Sequence, residues 1–383
     1  MKQKITLLLI TIFILSSCER NSDKQFSKDI LGEWTYIKTE DQRKPLKNKN
    51  YNYPPPAPYY GRYIPGYIFS ENNICENKTG YFHRIESDQR KDRKIIFLGT
   101  KTKYKIENDS LKILDLLTKT WESQKIHSII GDTLTTTTGD SLFAKYARAK
   151  HKINPNENYD KIIVSSSGCY GSCPISDISI DNKGNIFFYG QDYTSKIGIY
   201  TSKITKNEFQ QIQTNFKKAG IINLENNYEA NHSDDEAITM TFVKNNKIVK
   251  TISDYGRKSP ATLIWAYTPV RFLYQHIKLV PYRTEEPILS IFGAGFTKGN
   301  QICDLSKSES FYLFTEIYKG KETTQKFENK YQIIFWNSAN KKETIYTDGR
   351  YFKCRDKIVD IGYNFLTQNN LTENFRPKIK YDY

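Results

Sequence analysis

The chain has 383 residues and a formal charge of +15, from 57 Lys and Arg against 42 Asp and Glu, with 38% hydrophobic and 14% aromatic residues. That length exceeds one ordinary core and predicts two or three domains, while the aromatic content excludes global disorder. The basic residues are spread along the chain, densest at Arg43, Lys44, Lys47, Lys49 and at Arg90, Lys91, Arg93, Lys94, without a long block. They read as solvated surface and argue against a nucleic-acid partner.

At the N-terminus, Lys2 and Lys4 precede the apolar run Ile5 to Leu15, too short to span a membrane and right for the core of an export signal. Leu15-Ser16-Ser17-Cys18 follows. This resembles the lipobox of bacterial lipoproteins. The resemblance implies a signal peptide over 1–17, diacylation of Cys18, and a lipid-anchored protein of the cell envelope, expected at the outer membrane, its face left open. Several acyl chains would make that anchor firm. Residues 18–27 are polar and read as a tether.

Residues 28–150 read as a small β domain. Strands are predicted at Ile30–Tyr36, Gly66–Ser70, Gly80–Ile85, Ile95–Leu98, Thr102–Ile106, Ser110–Asp115, Thr120–Ile130, Thr133–Thr138 and Leu142–Arg148. Asn72-Asn73, Glu107-Asn108-Asp109 and Gly131-Asp132 supply turns. Short strands at such spacing predict an antiparallel barrel or sandwich. Gly32-Glu33-Trp34 resembles the G-x-W signature of lipocalins, whose Trp plugs one end of the barrel. The resemblance implies a cavity for a small apolar ligand, although many small barrels are filled by their own side chains. The insertion at 48–66 departs from that pattern. Pro54, Pro55, Pro56 and Pro58 favour polyproline II. Tyr51, Tyr53, Tyr59 and Tyr60 are candidate ligand or partner contacts there, against the alternative of a stiff loop packed on the barrel.

Residues 158–280 predict strands, a helix, a hairpin and a last helix, an α+β order with an antiparallel sheet. Strands are read at Tyr159–Ser165, Ser176–Asp181, Asn185–Tyr189 and Gly198–Ile204. Thr205 and Glu208 fit a capping box for a helix ending at Gly220. Ala237–Val243 and Lys247–Ser253 form a hairpin across Asn245-Asn246, and Ser259-Pro260 opens a helix that Pro269 should kink or restart. The turn Cys169-Tyr170-Gly171-Ser172-Cys173-Pro174, the segment Tyr189-Gly190-Gln191-Asp192 and the later Asp254-Tyr255-Gly256 together resemble bacterial domain-of-unknown-function family 6438 over roughly 158–278. The resemblance brings a boundary and no mechanism.

In an oxidising compartment Cys169 and Cys173 read first as a disulfide, which Gly168 and Gly171 make sterically feasible. A redox pair would use the shorter CxxC, and no second pair stands at zinc spacing. Cys303 and Cys354 are a second candidate pair, leaving Cys75 odd. The segment EANHSDDE at 229–236 puts His232 beside Asp234 and Asp235, with Asp254 in reach on the next strand. For calcium binding it lacks the spaced acids and glycine of an EF-hand, and for a glycosidase pair of carboxylates adjacent acids on one loop do not show the set separation across a cleft. A solvated loop is the simpler reading.

Residues 288–383 predict a β-rich C-terminal domain with strands at Ser310–Tyr318, Lys330–Trp336, Glu343–Tyr346, Arg350–Cys354 and Lys357–Asn364, behind a linker at Pro281–Pro287. The fold class expected is thus α+β overall and β-rich: a lipocalin-like barrel, an antiparallel α+β sandwich and a β-rich C-terminal segment. No nucleophile elbow, phosphate loop or metal motif stands out, so no catalytic residue, metal ligand or cofactor is assigned. The functional expectation is a membrane-anchored binding or interaction protein whose partner is a small apolar ligand or an envelope protein. The alternatives are an envelope enzyme with a site at His232, Asp234, Asp235 and Asp254, or an immunity-type or structural module.

Overall fold

A computed structural model describes residues 21–41, 65–89, 92–137, 141–282, 294–336 and 342–378. Cys18 and the tyrosines Tyr51, Tyr53, Tyr59 and Tyr60 lie outside the described residues. The chain forms two compact units: one holds 63–83 and 97–150 with the N-terminal residues, the other 151–383 with 84–96.

The first unit is a closed eight-stranded antiparallel barrel in sequence order. Its strands are β1 (Gly32–Asp41), β2 (Gly66–Ser70), β3 (Ile74–Ile85), β4 (Lys94–Glu107), β5 (Ser110–Leu114), β6 (Trp121–Ile130), β7 (Thr133–Thr137) and β8 (Leu142–Arg148). The segments read as separate strands at 95–98 and 102–106 are one long β4. Closure pairs Trp34 with Arg148 and Tyr36 with Tyr146. Asn73, Asn108, Asp109 and Gly131 adopt the positive φ that tight hairpin turns require. Trp34 is fully buried, and its Nε1 donates to the Ile30 carbonyl at 2.6 Å. The Arg148 guanidinium lies 4.3 Å from the Trp34 ring and donates to the carbonyls of Leu31 and Asp29. This is a cation–π contact completed by charge-assisted hydrogen bonds.

Most of the stretch read as a tether is instead helix α1 (Asn21–Asp29). Phe26 packs on the barrel core, and the Asp23 carboxylate accepts from the backbone N–H groups of Asn108 and Asp109. One aromatic and one acid thus give a mostly polar segment enough anchorage to stay helical.

The second unit contains two eight-stranded sheets. The first is built from β9 (Lys161–Ser166), β10 (Ile175–Asp181), β11 (Asn185–Asp192), β12 (Gly198–Lys203), β13 (Asn227–Glu229), β14 (Ala237–Lys244), β15 (Lys247–Tyr255) and β16 (Val280–Pro281). Its order is β13-β15-β14-β9-β10-β11-β12-β16, antiparallel except for the β13–β15 pair. Helices α2 (Lys206–Ala219) and α3 (Ala261–Arg271) pack against each other, with the Phe216 ring of α2 5.1 Å from Phe242 of β14. The predicted capping box forms: the Thr205 hydroxyl accepts from Glu208 N–H, the Glu208 carboxylate accepts from Thr205 N–H, and Gly220 ends the helix at φ +67°. Past Pro269 the α-helix lasts only to Arg271, and a 3-10 turn at Leu273–Gln275 follows.

The remaining elements are β17 (Gly295–Lys298), β18 (Gln301–Asp304), α4 (Lys307–Lys319), β19 (Lys321–Thr323), β20 (Tyr331–Trp336), β21 (Lys342–Thr347), β22 (Tyr351–Cys354), β23 (Lys357–Asp360), α5 (Phe365–Gln368) and β24 (Arg376–Pro377). They form a sheet of order β19-β23-β22-β21-β20-β17-β18-β24. The strand expected at Ser310–Tyr318 is helix α4. Ser306 and Glu309 form a second capping box that starts it. The helix is buried on two sides, Phe311 against Phe187 of β11 and Phe314 against Phe335 of β20. A helix apolar on both sides has no amphipathic period, which is why its sequence resembles a doubly buried strand.

Residues 294–378 therefore share one core with β9, β11 and β12: Ile163, Phe187 and Ile199 cluster with Phe311, Phe314, Ile333 and Phe352. The start of α4 is held by polar contacts. Lys307 Nζ stands 3.0 Å from both oxygens of the buried Asp177, Gln191 Nε2 donates to Asp177 Oδ2, and Ser308 N–H donates to Thr239 Oγ1. Burial lowers the Lys307 ammonium below its ordinary value, and Asp177 opposes that shift.

Candidate functional site

Two places in the molecule carry enough chemistry to be weighed. The first is inside the barrel. Trp34, Phe69, Cys75, Tyr104, Ile126, Leu134 and Tyr146 fill part of the interior. Between β2, β3, β5 and β6 they leave a cavity of about 380 Å³, within the size range of small-molecule sites. Tyr67, Tyr81, Phe82, Leu111, Ile113 and Leu117 give its apolar wall, and Asn77, Thr79, Asp115, Glu122 and Gln124 its polar part. Leu117 at 45% exposure and the exposed Glu122 mark the mouth.

The wall follows from local sequence. Along β3, Asn77, Thr79 and Tyr81 alternate on the cavity side. Gly80 has φ +74°, and a Cβ there would meet the Phe97 ring at 2.4 Å, so glycine alone allows this approach of β4 to β3. Asn77 Oδ1 accepts from Thr79 N–H and Oγ1, and Gln124 Oε1 accepts from the Thr136 hydroxyl, so the Gln124 amide has donors to offer. Asp115 Oδ1 accepts from Leu117 N–H, Thr118 N–H and Thr118 Oγ1, fixing the turn before β6. Burial pushes the Tyr81 phenol up to about 12; the Asn77 hydrogen bond opposes this, and the charges of Cys75, Asp115 and Glu122 add to it.

The second place joins the cysteine turn to the acidic segment. Cys169 and Cys173 form a disulfide. Tyr170 N–H donates to the Asp234 carbonyl, Ala237 N–H to Ser167 Oγ, and Ser167 N–H to the Ala237 carbonyl. The turn and the segment read separately in the sequence thus lie side by side, and Tyr170 is 89% exposed. His232 Nε2 lies 3.1 Å from Asp235 Oδ2. Asp254 is not available to act with them. It is fully buried and accepts from Lys258 N–H, Ser259 N–H, Ser259 Oγ and Tyr267 OH. Glu236 is buried too, paired in both oxygens with Arg271 of α3 and 3.6 Å from Arg257. Among the described residues no three or more His, Cys, Asp and Glu side chains group as a metal site. The segment is a structural junction with an exposed tyrosine beside it.

Cys303 and Cys354 do not pair; both are buried free thiols, as is Cys75. In the sheet, β18 and β22 are separated by β17, β20 and β21, roughly four strand spacings of about 4.8 Å each, beyond the reach of a disulfide. Burial pushes the Cys354 thiol up to about 12 and Cys303 to about 11, away from reactivity. No helix among the described residues is long and apolar enough to cross a membrane. The polar lining of the cavity was missed in the sequence, where Asn77, Asp115 and Glu122 look like ordinary strand and turn residues; the alternation of β3 and β6 was the signal that could have found them.

Comparison with known proteins gives one finding for one part of the chain. No curated protein matches it. Residues 160–274, which carry β9 to β15 with α2 and α3, match the family described as a domain of unknown function, DUF6438.

Proposed function

We propose that the chain is a non-catalytic binding protein of the cell envelope, held to the membrane by a lipid on Cys18, whose barrel takes up a small, mainly apolar ligand. The observation that supports this reading is the cavity of about 380 Å³: a barrel this small can close completely on its own side chains, and this one does not. An aromatic and aliphatic wall with a few convergent polar groups is the general character of a small-molecule site. At about 30 Å³ for each water-sized occupant, the space holds on the order of a dozen non-hydrogen atoms.

Native mass spectrometry tests it. The mature protein, extracted from its own membrane without reductant, should carry a mass beyond its sequence, lipid and disulfide, released on denaturation. Leu111, buried on the cavity wall, becomes a plug in Leu111→Trp, which should retain the fold and lose the extra mass. A wild-type chain without extra mass would overturn the cavity reading and favour a protein partner, for which the exposed Tyr170 beside the disulfide is the supporting observation.

A further inference from the structure

Resting on the proposal that the barrel binds a ligand, we propose that Asp115 and Glu122 make this cavity selective for a ligand with a cationic or hydrogen-bond-donating head on an apolar body, and turn it against anionic amphiphiles. Among the described residues the charged groups lining the cavity are these two acids, with no Lys, Arg or His beside them. The wider chemistry of the protein runs the other way, with 57 basic residues against 42 acidic ones. Three other acids of the barrel each stand beside two cations. Glu40 stands 2.8 Å from both Lys38 and Lys145, Glu107 pairs with Lys105 and Lys112, and Asp132 with Arg148 and Lys150. Asp115 and Glu122 have no ion pair among the described residues.

The two acids are placed by register. Glu122 of β6 stands opposite Ile113 of β5, and Asp115 is the first residue after β5. One oxygen of Asp115 is committed to the turn, which fixes the carboxylate and leaves the other oxygen without a partner among the described residues. The ligand's apolar body would lie against Tyr67, Leu111 and Ile113, and its head beside the acids. An anionic head in that place would face two like charges with no cation among the described residues of the wall, an arrangement that rejects as well as selects.

The test uses the full mature chain and three probes of equal length, octylamine, octanol and octanoate, by calorimetric titration below their micelle concentrations. Octylamine should bind about tenfold more tightly than octanol, the scale of a pair of partly exposed charge contacts, and octanoate more weakly than either. Raising the salt should shrink the preference and leave octanol unchanged. Glu122→Gln and, separately, Asp115→Asn, whose amide oxygen can still accept from the turn, should each cut the preference for octylamine over octanol about threefold. If the three probes bind alike, if octanoate binds best, or if both variants keep the preference, the selectivity is overturned while the cavity reading survives through octanol. If no probe binds, both are overturned.

Discussion

The two units use their acids differently. In the second unit the buried acids are bonded to protein: Glu236 to Arg271, Asp177 to Lys307 and Gln191, Asp254 to four donors of its own turn and helix. In the barrel two acids line a cavity with no ion pair among the described residues. Burying a charge without a partner is expensive, so a matched interior is what stability alone produces. The buried acids of the second unit are spent on its own structure, whereas the half-buried Asp115 and the exposed Glu122, at the mouth of the barrel cavity, keep polar capacity for something outside the chain. The family match falls on the unit whose buried acids are all engaged, and the proposed ligand site falls on the other.

The largest effect that would break this contrast is expected at Arg271. It is 4% exposed and holds both oxygens of Glu236. Arg271→Met keeps most of the packing and leaves the buried Glu236 carboxylate with Arg257 alone, at 3.6 Å, an expected cost of about 3 kcal/mol. Amide hydrogen exchange should show faster opening of β14 and α3, with barrel protection unchanged. A loss under about 1 kcal/mol would mean that the pair is solvated and that the second unit is no tighter than the barrel.

A smaller effect is expected at the disulfide. The Cys169–Cys173 ring is short, and the loop-entropy relation gives roughly 2 kcal/mol for five residues. Replacing both cysteines with Ser should cost about that or less. The change should concentrate in the backbone bond from Tyr170 N–H to the Asp234 carbonyl, so exchange at Tyr170 should rise most. Equal loosening throughout the sheet would make the bridge a staple of the whole unit instead of a brace for one junction.

How far the sequence could be read follows the same division. The barrel was legible because its strands alternate and its turns are marked by Asn, Asp and Gly in left-handed conformations. The capping boxes of α2 and α4 are equally local, and the first was read from Thr205 and Glu208. The second, Ser306 and Glu309, was overlooked because Phe311 to Phe314 reads as a strand, and only the sheets on either side explain why a helix should be apolar all round. The distance between Cys303 and Cys354 depends on a sheet order that places β17 and β18 after β20, which no local pattern encodes. The site was least legible of all. Asp254 looked available beside His232 and is instead a buried structural acceptor, while Asp115 and Glu122 are ordinary in sequence and gain meaning only from the space they face.

The smallest expected effect separates the interiors by pH. In the barrel, burial pushes the phenols of Tyr81 and Tyr146 up to about 12, from an ordinary value of 10.0. A folded-state value above the unfolded one means that the unfolded chain releases its proton first as pH rises. The stability these phenols contribute is therefore complete below about pH 10 and is lost between about 10 and about 12. Denaturant titration across that window, followed by protection of the barrel strands, should show the loss, and Tyr81→Phe should remove part of it. Because Tyr81 lines the cavity and Tyr146 belongs to the packed core, the variant also asks whether the cavity is wet. If Tyr81→Phe leaves the alkaline loss intact, water already solvates the Tyr81 phenol through the mouth, and a ligand entering there would have to displace it.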